Sequence, residues 1–189
     1  MVSDSHTELI MEGSEHSLHS SQREVLLEHL FTGEVMRRLW RAGVYDLEVL
    51  KPQVDDGGYD LVLETNSIVR HVQLKSTKRE SKVSYVNVNL RLAAKPSGCV
   101  LIIKFDDELR LGPFYWFGAA PGERLPDITD IRSFKVAKQT RANSQGTKGE
   151  RPNVRMIPFS KFQEFDKIED VIECLFGTSF SEAPPDRSA

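Results

Sequence analysis

The chain has only two cysteines in 189 residues, no excess of positive charge and no long apolar run. Cys99 and Cys174 stand far apart in apolar segments without CxxC or CxxH spacing, so neither a zinc site nor a disulfide framework is expected, only two buried thiols. No segment approaches the roughly 18 apolar residues of a membrane helix, and no charged-then-apolar leader is seen. The expectation is therefore a cytoplasmic protein with no membrane partner. A formal charge of −3 gives no global pull on a polyanion, so nucleic-acid binding would have to come from a local patch. A GxxxxGK[ST] loop is also missing, so an ATP-driven motor would have to be another chain. What is there is 39% hydrophobic and 28% charged residues, enough for one domain with a real core. We place that domain at residues 21–177, between polar tails at 1–20 and 178–189. His6, His16 and His19 belong to the first tail and are read as solvated.

Polar residues stand where a buried strand pair should have none. Leu61 to Glu64 and Val69 to Leu74 are strand-like runs joined by the turn formers Thr65-Asn66-Ser67, which predicts a β-hairpin. Asp60 opens the first run, and Gln73 and Lys75 interrupt the second. Side chains alternate along a strand, so His71, Gln73 and Lys75 share one face while Val72 and Leu74 take the other. Gly57-Gly58 lets the backbone approach whatever Asp60 holds; Asp55 and Asp56 are read as loop residues.

Before this hairpin, Ser20 or Ser21 can cap a helix from about Arg23 to Arg41, ended by Gly43. At 100° per residue, Val25, Leu27, Phe31, Val35, Met36, Leu39 and Trp40 fill one arc and the arginines the other. Glu28 falls inside the apolar arc, where a carboxylate must be paired, protonated or bound to a cation. A helix-edge carboxylate is the alternative reading. Glu34 lies on the polar arc, within helical reach of Arg37 and Arg38. A first strand is expected within Val44 to Leu50.

After the hairpin, Val86, Val88, Leu90 and Leu92 alternate with polar residues as a half-buried strand, and Cys99 to Phe105 is a continuous apolar run expected at the centre of a sheet. Pro113 to Gly118 adds an aromatic strand, read as core, and 118–130 a loop. Ser133 to Arg155 then gathers Lys135, Lys138, Arg141, Lys148, Arg151 and Arg155 against Glu150 alone, a local charge of +5. Solvated loop and phosphate-contacting loop are both open readings of this segment. Val154, Met156 and Ile157 are expected to form a short strand, and Asp166 with Glu169 a capping box for a last helix that ends at Gly177.

A helix with an inward Glu, then strands carrying Asp60 and Gln73-Leu74-Lys75, resembles the PD-(D/E)XK nuclease superfamily, with its restriction-endonuclease-like fold. The acid-x-Lys triplet is replaced here by Gln-x-Lys, a variant seen in methylation-directed restriction enzymes, and GYDLVL followed by HVQLKS also looks like the resolvase branch. The likeness covers about Ser21 to Phe105. It implies an α/β fold with an αβββαβ core, a mixed sheet flanked by helices, and hydrolysis of DNA phosphodiester bonds, with RNA left open. It also implies Mg²⁺ or Mn²⁺ held by Asp60, Gln73 and Glu28, with Glu34 the second choice for the helix carboxylate. Lys75 would orient the attacking water, and Lys78, Lys135, Lys138, Arg141, Lys148, Arg151 and Arg155 would contact the backbone of the nucleic acid. The alternative is a binding or interaction module that keeps the fold without turnover, and a homodimer is expected by analogy alone.

Overall fold

A helix whose leucines and valines recur at i, i+4 and i+8 must find a sheet to cover, and the first helix does so along one narrow stripe. The computed structural model describes residues 19–54, 57–139, 141–142 and 145–177. Helix α1 spans Ser20–Arg41 and buries Leu27, Phe31, Thr32, Val35 and Leu39. The stripe is narrower than the sequence predicts: Val25, Met36 and Trp40 are exposed. They lie at the edge of the 100° wheel, where one flat sheet cannot reach them. Nor does a serine cap the helix; His19 holds that position without a side-chain hydrogen bond.

The sheet beneath has the order β1-β2-β3-β5-β6-β9. Its strands are β1 at Glu48–Leu50, β2 at Leu61–Thr65, β3 at Ile68–Lys78, β5 at Gly98–Phe105, β6 at Leu111–Gly118 and β9 at Gln163–Phe165. It is mixed: β3 and β5 run parallel, and the other neighbours antiparallel. The predicted hairpin forms, with Asn66 and Ser67 both at positive φ, the two-residue turn that suits the twist of paired strands. Between β3 and β5 the chain makes β4 at Tyr85–Asn89 and one helical turn, α2, at Leu90–Ala93. The expected strand through Leu92 is thus cut short, because Asn89 caps α2 by accepting a hydrogen bond from the Arg91 N–H at 3.0 Å. The chain follows the α-β-β-β-α-β order, with β4 inserted before α2, in a mixed α/β fold.

Every residue of β5 is buried, since the strand is covered on both faces. Cys99, Leu101 and Ile103 face α1 and the last helix, α3 at Ile168–Phe176; Val100 and Ile102 face a second core under a three-stranded sheet. That sheet has the order β4-β8-β7, with β7 at Lys135–Lys138 and β8 at Glu150–Pro158. The basic segment therefore folds largely as a hairpin whose strands the sequence reading did not assign, apart from 154–157. The capping box before α3 does not form: Lys167 is the cap residue, with no side-chain bond, and Glu169 pairs instead with Arg38 Nε at 2.6 Å. Gly177 ends α3 in the left-handed region, as expected.

Arg70 is the largest fully buried side chain. It lies over the Trp116 ring, 5.2 Å from the centroid, and donates from Nη2 to the carbonyls of Ala119, at 2.8 Å, and Cys174. It thus ties β3 to the loop after β6 and to the last turn of α3. Burial holds its basicity below the usual value and pushes the neighbouring Cys99 thiol up to about 12; Cys99 is buried and Cys174 half-buried. The tails at 1–18 and 178–189 and the pair Asp55-Asp56 lie outside the described residues. Among the described residues no helix is long and apolar enough to cross a membrane.

Candidate functional site

The site arises because β2 stops before β3 does. Pairing between them runs from Thr65/Ile68 to Leu61/Val72, and from Gln73 to Lys78 the ladder continues only towards β5. The N–H groups on the other side of β3 then lack a strand to bond. Asp60 supplies the first replacement: its own N–H donates to the Val72 carbonyl at 2.9 Å, and its carboxylate Oδ2 accepts the Leu74 N–H at 2.7 Å. Asp60 therefore straddles Gln73, one residue to each side. The approach to Asp60 depends on Gly58, whose φ is +74° and where a Cβ would stand 2.7 Å from the Cβ of Asn89.

Two clefts open along this stretch of β3. The first, of about 400 Å³, lies between α1 and β3 and is lined by Ser21, Glu24, Glu28, Asp60, Lys75 and Ser76 over a floor of Leu27, Leu74 and Ile103. The second, of about 570 Å³, lies between β3 and the small sheet; Gln73, Lys75, Ser76 and Thr77 form one wall, and Tyr85, Asn87, Asn89, Arg151 and Val154 the other. Lys75 and Ser76 line both. The first wall carries three carboxylates and the second none among the described residues.

The sequence-predicted residues separate accordingly. Glu28, Asp60 and Lys75 meet in the acidic cleft, whereas Glu34 lines a different cavity with Arg38 and Arg110, so Glu28 is the helix carboxylate that reaches the hairpin. Glu28 is ion-paired with Lys51, which answers the cost of its position in the apolar arc. Glu34 is held below the usual carboxylate range, first by its hydrogen bond from Arg37, then by the charge of Arg38, the surface role its phase predicts. Gln73 is buried, and its Oε1 has no hydrogen-bond partner among the described residues. A lone acceptor in that position is expensive unless something outside the chain meets it. His71 does not turn towards a ligand: its Nδ1 lies 2.9 Å from the Pro96 carbonyl and its ring packs edge-on against Tyr59.

The basic residues divide as well. Lys135, Lys138, Arg141, Lys148 and Arg151 are exposed, and of these Arg151 lines the groove. Lys78 is committed to Asp107 at 2.5 Å. Arg155 is a correction. It is buried, and its Nη1 donates to the Pro152 carbonyl at 2.7 Å. It pairs with Val88, on the face that Ile157 shares with Val86, and a break in register between Arg151 and Arg155 separates it from the exposed Arg151, so it does not offer itself to a phosphate. The sequence reading missed Glu24, one helical turn before Glu28 on the same cleft, although the i, i+4 spacing signals it. It also missed Asn87, which alternation alone puts on the face opposite Val86 and Val88.

Among the described residues no group of three or more His, Cys, Asp or Glu side chains comes together as a metal site. Of the residues expected to hold a cation, Asp60 and Glu28 line the acidic cleft, whereas Gln73 lines the groove on the other side. Together they would offer only oxygen. That all-oxygen set suits a hard ion that keeps several of its waters, and the unpartnered Gln73 Oε1 fits such use.

No protein-family model and no curated protein sequence matches the chain. One similar solved structure is that of a bacterial homing endonuclease, I-Ssp6803I, which aligns with 62% of this chain and 79% of its own at 24% identity, with a TM-score of 0.27.

Proposed function

We propose that the chain is a metal-dependent nuclease of the PD-(D/E)XK type, hydrolysing DNA phosphodiester bonds at the junction of the two clefts. The observation that carries this reading is Asp60, fixed astride Gln73 by two backbone hydrogen bonds, in one cleft with Glu28 and Lys75 and beside a buried acceptor that nothing in the described chain satisfies. Mg²⁺ or Mn²⁺, held by Asp60 and Gln73 with help from Glu28, would supply charge neutralisation at the nonbridging phosphate oxygens. The chain does the rest. Asp60 is rigid because its backbone and carboxylate are both bonded to β3, so it needs no reordering when substrate binds. Lys75, on the border of both clefts and with no ion pair among the described residues, orients the attacking water and stabilises negative charge developing on the phosphate.

The test is cleavage of plasmid, linear, branched and single-stranded DNA with Mg²⁺ or Mn²⁺, beside Asp60→Ala and Lys75→Ala. Cleavage by the wild type and loss in both variants is the expected result; equal activity in all three would mark a contaminant. A second reading has its own observation, the Lys51 ion pair that already occupies Glu28 together with the missing acid at Gln73. On that reading the fold binds nucleic acid without cutting it, and salt-sensitive binding without cleavage would establish it.

A further inference from the structure

The groove beside the acidic cleft has a chemistry of its own. Its walls offer Gln73, Lys75, Asn87 and Arg151, with no carboxylate among the described lining residues. Lys75, Asn87 and Arg151 make no side-chain hydrogen bond or ion pair among the described residues. Elsewhere the cations near β3 are committed, Lys78 to Asp107, Arg79 to Asp106, and Lys104 to the carbonyls of Arg79 and Ser81. Asn89 is committed too, since its Oδ1 caps α2. Gln73 is uncommitted as well, but it is buried. Among the described residues Asn87 is therefore the exposed uncommitted amide of the groove; it stands on the edge strand β4, and by register it shares a cross-strand row with Met156 and Lys135.

From this, and resting on the reading of the adjoining cleft as the cleavage site, we infer that the groove holds a DNA strand next to the scissile phosphate and that Asn87 reads a base there. A side-chain amide carries a donor and an acceptor side by side, the pattern that matches the N6 and N7 edge of adenine. Arg151 and Lys75 grip phosphates on either side and carry no sequence information. Charge complementarity decides the occupant. A polyanion is repelled by the wall with Glu24, Glu28 and Asp60 unless a cation intervenes, and is attracted by the wall with Arg151 and no described carboxylate, with Lys75 on the border of both.

The test is equilibrium binding, so it does not depend on turnover. The full chain carrying Asp60→Asn is used to select from a randomised DNA duplex pool, alone and with Asn87→Ala or Arg151→Ala added. Adenine should be enriched at one position. Asn87→Ala should flatten that preference by roughly 10-fold or more while leaving affinity for unselected DNA within about 2-fold. Arg151→Ala should weaken binding to all sequences alike and reduce the slope of log affinity against log salt by about 1. No enriched position, an enrichment that survives Asn87→Ala, or tighter binding to RNA of the same sequence would overturn the inference. Selective binding that responds to Asn87 while the wild type cuts nothing would sustain it and remove only the nuclease reading.

Discussion

The two clefts beside β3 share Lys75 and Ser76 but are built on opposite principles. One sits against a helix and gathers carboxylates, of which Glu28 is ion-paired and Asp60 is held by backbone hydrogen bonds. The other sits against a strand edge and gathers amides and cations that, Asn89 apart, the described chain leaves uncommitted. The difference teaches where the binding energy for a phosphodiester would come from. On the proposed reading, fixed acids would hold a cation while loose cations and amides would hold a strand, and each wall would repel what the other attracts. A single residue on the border can then act on both.

The sharpest way to break this division is Asp60→Asn. The amide can still accept the Leu74 N–H, so folding is preserved, while cleavage should fall by about 10³-fold, the scale of losing a principal charge-stabilising group. Binding of DNA measured by anisotropy should persist; parallel loss of both would mean that the clefts are one site. Lys75→Ala should reduce both readouts, because Lys75 lines both walls. Glu28→Gln should lower cleavage by less than Asp60→Asn, about 10-fold, and raise the Mg²⁺ concentration for half-maximal activity, since the carboxylate shares itself with Lys51. An unchanged metal requirement would restrict Glu28 to its ion pair.

Gly58→Ala probes the corner where the lead-in to Asp60 meets Asn89. The positive φ and the 2.7 Å approach make it costly by about 1–3 kcal/mol in chemical denaturation. A neutral result would mean that α2 and the groove wall can move away. The smallest effect is expected far from both clefts. Asp46 accepts hydrogen bonds from Thr65 Oγ1 and, at 2.9 Å, from the Asn66 N–H, and the Thr65 bond first of all holds its carboxyl below the usual aspartate range. A depressed folded value means that the carboxylate stabilises the hairpin at pH above the ordinary aspartate value and loses that effect as pH falls through the folded one. Asp46→Asn should therefore lower stability slightly near neutral pH and match the wild type in strong acid. A constant difference across the acid limb would assign the effect to shape rather than charge.

Much of this was legible along the chain. The hairpin, its turn, the central position of β5 and the shared face of Gln73 and Lys75 follow from periodicity, since alternation is a property of the strand itself. The phase of α1 placed Glu28 inward, and it is Glu28 that lines the cleft with Asp60. Phase could not say that Lys51 would pair with it, because Lys51 comes from the segment after β1. The same limit explains Arg155. Charge placed it among exposed phosphate contacts, but its pairing with Val88, beyond a break in the register of β8 against β7, decides which way it points. The capping box failed because Arg38, distant in sequence, competes for Glu169.

By itself, then, the sequence determined the residue types of the site and the faces they occupy, because both are local consequences of backbone period and side-chain chemistry. Tertiary contacts alone fix that pairing with β2 stops at Val72, the residue before the triplet, leaving β3 open to a helix on one side and a strand edge on the other. Register and neighbour choice depend on contacts between segments far apart along the chain, and those contacts are what divide one polar hairpin into an acidic cleft and a basic groove.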